Sequence, residues 1–286
     1  MLLSSPAMTS GRAGENDRDG SREAQSMQLT VSPSILHECS TAECQARIDL
    51  AAAHRLAFRH GFSEGIFNHL TFVVPGSDDR YYQIPFGTHW SEVTASCFME
   101  VGLADGKVKR GDGEVERSAF CIHAPIHQAL PQAKAVFHTH MPFASALTRL
   151  EDPRIKEIGQ TEVGMMGQIA YDDQYTGPAN EPEEGARLAR IVGDKTVLFM
   201  ANHGITTVGE TIADAYDRLY YIERAAQVQI YAMWTGQKLK ELPAPVVEKT
   251  KRDIGGAGLY QGPSPAQRHF DALKRILDRE EPDYAG

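Results

Sequence analysis

Residues 133–142 read Ala-Lys-Ala-Val-Phe-His-Thr-His-Met-Pro. Ala133–Thr139 has the composition of a short buried strand, and Pro142 is placed to open the helix that follows. Along a strand, residues i and i+2 leave the same face, so His138 and His140 project together. Two imidazoles at that spacing can converge on one ion that accepts nitrogen at roughly 2.0–2.1 Å, zinc among others. With 11 histidines in 286 residues, about 0.4 such pairs arise by chance, so the pair alone decides little. Asn202-His203-Gly204 strengthens it. This triplet also follows an apolar strand, Val197–Met200, at a place where the chain turns. Gly204 permits close backbone approach there. His138, His140 and His203 are therefore the candidate metal ligands, against the plainer reading of three hydrogen-bonded histidines.

Working outward, Thr41–His60 carries Cys44, Ile48, Ala51, Ala52 and Leu56 at helical spacing, with Ser40 or Thr41 to cap it and Gly61 to end it. His69–Pro75 and Tyr81–Pro85 flank a Gly-Ser-Asp-Asp turn and read as a hairpin. Ser91–Met99 has no clear period. Val115–Leu130 reads as a loop and then a helix with Ile122, Ile126 and Leu130 on one face, stopped by Pro131. His123 and His127 lie four apart on that helix and read as a structural pair. Pro142–Leu150 and Glu181–Val192 are helices, while Thr196–Ala201 and Ile205–Val208 are strands. Thr211–Thr235 is the longest helix, with Ile212, Ala215, Leu219, Ile222, Ala226, Ile230 and Met233 on one face. Pro243, Pro245, Gly255, Gly256 and Gly258 mark an exposed tail, and Ala266–Arg279 is a last amphipathic helix. Mixed elements without strict βαβ alternation imply an α/β or α+β sandwich built on a mixed sheet.

Composition narrows the classes of function. Lys plus Arg is 29 against 38 for Asp plus Glu, a formal charge of −9, which argues against non-specific nucleic-acid binding. No apolar run approaches the roughly 18 residues of a membrane span. Residues 1–35 read as a disordered leader, too weakly apolar for a signal peptide. Residues 36–240 form the main domain and 241–286 a tail. Cys39, Cys44, Cys97 and Cys121 show no CxxC spacing and read as reduced thiols of a cytoplasmic protein, not a zinc ribbon.

The order Asn68-His69-Leu70-Thr71, Ile84-Pro85-Phe86-Gly87, Val136-Phe137-His138-Thr139-His140 and Asn202-His203-Gly204-Ile205, then a long helix, resembles the class II aldolase and adducin family. The likeness covers roughly residues 43–236, and Pro85-Phe86-Gly87 with Ser91–Ser96 looks more like the adducin branch. It implies a three-layer α/β/α sandwich around a mixed, mainly antiparallel sheet. It also implies that His138, His140 and His203 bind a divalent ion: zinc foremost, with iron, manganese or cobalt as alternatives. The family's aldolases carry a metal-binding acid/base glutamate where this chain has Ala119, which can neither ligate nor transfer a proton. Glu116, three residues upstream, is the candidate to reach the ion in its place, and Tyr260 is a second catalytic candidate because the family's aldolases use a tail tyrosine near the site.

The family's phosphate cradle is eroded as well. Asn68, Gly87 and Ser118 remain, whereas Phe67, Phe86 and Arg117 replace smaller or hydroxylic residues. The aromatic pair suggests an apolar substrate, and Arg117 suits a carboxylate. Asn68, Phe86, Gly87, Arg117 and Ser118 are the expected substrate contacts, with His69 at the border. The expected activity is lyase or decarboxylase chemistry on a small carbonyl, 2-oxo or hydroxy acid. Two alternatives remain: a non-haem iron oxygenase of an aromatic 2-oxo acid, and a non-catalytic adducin-like interaction module. The resemblance also implies a homo-oligomer, a tetramer, without nucleic-acid or membrane partners.

Overall fold

The computed structural model describes residues 38–255 and 261–286. The leader and Tyr260 lie outside the described residues. The first helix, α1 (Thr41–Arg59), starts where the sequence places it. Ser40 accepts from the Glu43 amide while the Glu43 carboxylate accepts from the Ser40 amide, so two end donors are satisfied reciprocally. The hairpin follows as β1 (His69–Val73) and β2 (Arg80–Gln83), then β3 (Met99–Gly102) and β4 (Val108–Arg110). Next come α2 (Arg117–Ala129), β5 (Ala135–Thr139), α3 (Pro142–Leu147), α4 (Gln160–Met165), β6 (Ile169–Asp172) and α5 (Pro182–Val192). The chain then forms β7 (Val197–Met200), β8 (Ile205–Gly209), α6 (Ile212–Trp234), α7 (Ala244–Gly255) and α8 (Pro265–Glu280).

Eight strands form one sheet in the order β4-β3-β2-β1-β5-β8-β7-β6. Every neighbouring pair is antiparallel except β6 with β7. Strand alternation divides the core into two layers. Leu70, Phe137, Phe199 and Ile205 pack against Leu50, Leu147, Leu219 and Phe270 of α1, α3, α6 and α8. Val136, Leu198 and Val208 face the opposite way, toward Ile122 and Ile126 of α2 and Leu188 and Val192 of α5. The result is the expected α/β/α sandwich.

Buried polar groups pin the layers together. Thr71 Oγ1 meets His123 Nδ1 at 2.7 Å and His127 Nε2 at 2.8 Å and donates to the Val136 carbonyl, tying α2 to two central strands. His127 reaches the Ala133 carbonyl through Nδ1 at 2.6 Å. The pair is structural, as read. On the other face, Arg47 of α1 is fully buried, 3.1 Å from Glu100 of β3, and its guanidinium lies 4.4 Å over the Tyr82 ring.

The α2–α5 contact depends on two residues. Pro125 lacks an amide hydrogen, so the Cys121 carbonyl one turn earlier loses its helical partner. Gly185 of α5 closes onto that carbonyl; a β-carbon there would overlap it and stand 2.8 Å from Pro125.

Several elements differ from expectation. β3, β4, α4 and β6 were not legible, because each is short and its apolar residues are interrupted by charged ones. The stretch read as an exposed tail, Pro243 to Gly258, includes the helix α7, which buries Val247. The last helix docks on its own chain through Phe270 and Leu277. Beyond it, Arg55 of α1 binds Glu281 at 3.2 Å and Asp283 at 2.7 Å, and the Ala95 amide donates to the Tyr284 carbonyl. Cys39 and Cys44, expected as thiols, are joined as a disulfide. The start of α1 brings their Cα atoms to 5.7 Å, within bridging range. Among the described residues, no helix is long and apolar enough to cross a membrane.

Two outcomes are expected. Gly185→Ala should destabilise the domain by about 1–3 kcal/mol through overpacking, lowering the thermal midpoint; an unchanged midpoint would contradict the contact. Burial holds the His54 and His127 imidazoles down at about 4. Between that value and the ordinary value of about 6.5, the unfolded chain binds protons that the folded chain refuses. Stability should therefore fall as pH drops through this window, by about 1.4 kcal/mol per pH unit for each histidine. Urea titrations across the window measure the slope, and a flat profile would refute it.

Candidate metal centre

The site lies where three adjacent central strands end. His69 of β1 pairs in register with His138 of β5, which pairs in turn with Thr206 of β8. Just past β5 comes His140, and His203 stands in the tight turn from β7 to β8. Ligand nitrogens of His138, His140 and His203 all lie within 4.8 Å of one another.

Hydrogen bonds set which nitrogen of each strand-end ring is free. His138 Nδ1 is 3.1 Å from the Ile205 carbonyl, which can only accept, so Nδ1 carries the proton and Nε2 keeps its lone pair. His140 Nδ1 bonds the Glu64 carboxylate, which fixes the same tautomer. The two Nε2 atoms face each other at 3.2 Å, and in that neutral tautomer each presents a lone pair to the other. Two lone pairs repel at that distance unless a cation lies between them. The spacing is close to the edge, roughly 3.3 Å, of a tetrahedron with bonds of 2.0–2.1 Å. Burial pushes the His138 imidazole well below its ordinary range and brings His203 down to about 4, with neighbouring histidines adding to the effect. Neutral imidazole is the form that ligates. The donor set therefore fits a divalent ion.

The backbone around the trio is specialised. Asn68 and Asn202, each directly before a site histidine, are the non-glycine residues with positive φ among the described residues, at 75° and 53°. Asparagine tolerates this region better than most residues. Asn68 Oδ1 accepts from the His140 amide at 3.1 Å, and Arg149 donates to the His203 carbonyl at 2.8 Å. Gly204 fills the remaining gap, where a β-carbon would stand 2.6 Å from both the His140 ring and the Thr139 carbonyl.

A cavity of about 280 Å³ opens over the trio. Phe67, Ile122, Tyr175, Pro178 and Ala179 form its apolar wall, and Glu64, Asn68, His69 and Ser118 its polar side. No lysine or arginine is among the described residues lining it. Of the expected substrate contacts, Asn68 and Ser118 line the cavity. Phe86 and Gly87 do not; the Phe86 ring packs 6.1 Å from that of Phe67. Arg117 points outward, to the Asn180 carbonyl at 2.9 Å and the Glu181 carboxylate at 3.2 Å. Glu116 caps α2, accepting from the Ala119 amide at 2.6 Å and the Ser118 hydroxyl at 2.7 Å, and lies 2.9 Å from His69 Nε2. Burial raises its pKa, but the His69 ring, Ser118 and the Ala119 amide outweigh that and bring it to about 2. It is occupied as a cap and does not line the cavity.

Glu64 and Tyr175 were missed by sequence reasoning. Both sit in irregular loops, where periodicity is silent. The available signals were the Glu64-Gly65 turn close before Asn68-His69 and the Tyr175-Thr176-Gly177-Pro178 run ahead of α5.

The family model described as the class II aldolase and adducin N-terminal domain matches residues 48–230. The chain belongs to this family. It is 31% identical over 247 residues to a Pseudomonas aeruginosa protein named as a candidate class 2 aldolase, covering 86% of this chain and 94% of that one. It is also 31% identical to rat alpha-adducin, over 81% of this chain but 33% of that longer one. Among solved structures, an aldolase II superfamily protein from Pseudomonas syringae superposes with a TM-score of 0.81 at 32% identity, over 88% of this chain and all of that one. The L-fuculose 1-phosphate aldolase of Glaciozyma antarctica shares the fold, with a TM-score of 0.72 at 24% identity over 88% of this chain and 99% of that one.

Gly204→Ala is expected to displace the His140 ring and cost about 1–3 kcal/mol. Thermal melts measure the cost and imidazole NMR the displacement; unshifted His140 resonances would contradict the close approach.

Proposed function

We propose that this family member is a metal-dependent enzyme of the lyase or decarboxylase type, with His138, His140 and His203 holding one divalent ion. The observation that carries the reading is the convergence of three imidazoles beneath a largely apolar cavity. Zinc suits three nitrogens and an open position best, with iron, manganese or cobalt as alternatives. A bound ion of this kind supplies Lewis-acid stabilisation of negative charge developing on a carbonyl or carboxylate oxygen.

The chain's own residues set the substrate. Phe67, Ile122 and Tyr175 offer an apolar surface to a substituent. Phosphate recognition needs cations or clustered amide donors. The described residues of the lining supply no lysine or arginine, and Arg117 is turned away to Glu181. The substrate favoured is a small 2-oxo or hydroxy acid with an apolar or aromatic substituent. Ala119 is fully buried and cannot move a proton, and Glu116 is held as a helix cap. An iron oxygenase of an aromatic 2-oxo acid is the second reading, favoured by the ring of Tyr175 standing 6.3 Å from that of His203. The exposed Val228, Tyr231 and Trp234 on α6 suit contact with another copy, which supports a homo-oligomer.

Protein purified without added metal is expected to hold about one divalent ion per chain, and His140→Ala to lose it while keeping its circular dichroism. Undiminished metal in that variant would sink the proposal. A screen of 2-oxo and hydroxy acids should find turnover, whereas a ketose 1-phosphate should not be cleaved at the ordinary enzyme rates of roughly 1–10³ per second.

A further inference from the structure

Glu64 is the one carboxylate among the described residues lining the cavity, and its partner is a ring. The carboxylate accepts from His140 Nδ1. Its loop also holds the His140 backbone. The Phe67 amide donates to the Glu64 carbonyl at 3.0 Å, closing a tight turn that presents Asn68 in its left-handed conformation, and Asn68 Oδ1 accepts the His140 amide. One short segment, residues 64–68, therefore grips His140 at both main chain and side chain.

His140 needs that grip more than His138 does. His138 sits within β5, is buried, and has Nδ1 fixed by β8. His140 lies one residue past the strand and is partly open to solvent, with nothing from the sheet on its Nδ1. Left alone, its ring could rotate or exchange tautomers.

We infer that Glu64 is a positioning residue that holds the His140 ring in its Nδ1–H tautomer and turns Nε2 toward the ion. The inference rests on the metal reading above. A carboxylate behind a ligating imidazole orients the ring and raises its basicity, and its loss typically weakens metal binding 10–100-fold. Glu64 is not itself a ligand. Its oxygen is on the far nitrogen of the ring, away from the facing Nε2 pair. Its side chain is 61% exposed, so its replacement leaves the core intact.

The test titrates the full-length metal-free protein with Zn(II) and Co(II) against a chromophoric chelator, for the parent, Glu64→Ala, Glu64→Gln and His140→Ala. Glu64→Ala should bind at least tenfold more weakly, with an altered Co(II) visible spectrum. Glu64→Gln, whose amide oxygen can still accept from Nδ1–H, should recover most of the affinity and the parent spectrum. His140→Ala should be weaker than either. Long-range nitrogen–proton NMR of the metal-free parent should show the Nδ1–H tautomer at His140, and Glu64→Ala a mixture. Parent-like affinity and spectrum in Glu64→Ala would overturn the positioning role and leave the metal site standing. No binding by the parent, or binding unaffected by His140→Ala, would overturn both.

Discussion

The site depends on the antiparallel pairing of β5 with β1 on one side and β8 on the other. Register in a half-buried sheet is fixed by which side chains reach the core, since a slip of one residue exchanges the two faces. Here Phe137 must reach the α1–α6 layer and Val136 the α2–α5 layer. Once those are satisfied, His138 necessarily faces with Val136, and the cross-strand pairs bring His69 and Thr206 alongside it. The imidazole cluster is thus a by-product of hydrophobic register, and the energy that holds it comes from the core around it.

That arrangement stores conflict at one end of the sheet. Two left-handed asparagines, a pair of facing nitrogens and several buried neutral imidazoles are each unfavourable alone. The surrounding layers overdetermine them. Thr71 fastens α2 to the strands through two histidines, Arg149 ties α3 to the His203 turn, and the buried Glu223 carboxylate of α6 accepts from the Phe143 and Ala144 amides that open α3. Strain kept at a site and offset elsewhere is the usual mark of a functional surface.

Much of this was legible in the sequence. The long periodic helices α1, α2 and α6 and the apolar strands β5, β7 and β8 announce themselves by spacing, and the His-Thr-His stretch and the Asn-His-Gly turn carry the site. What escaped did so for physical reasons. β3, β4 and β6 are short and broken by charged residues, whereas the equally short β7 is wholly apolar, and α7 buries little beyond Val247. The direction of Arg117 depends on Glu181, 64 positions away, so no local pattern could reveal it. Glu64 illustrates the same limit. A loop glutamate carries no periodicity, and its relevance comes wholly from a fold that sets it against a ring 76 positions later.

The clasp between α1 and the segment after α8 has a consequence for how the domain comes into being. Arg55 meets Glu281 and Asp283 across separations of 226 and 228 positions. Chains whose contacts are distant in sequence fold slowly, because loop closure must precede the gain from contact. During vectorial synthesis, the face of α1 that this segment covers stays bare until nearly all of the domain has emerged. The central sheet, histidines included, is complete in sequence at Gly209, and so emerges before the first helix is fully sealed.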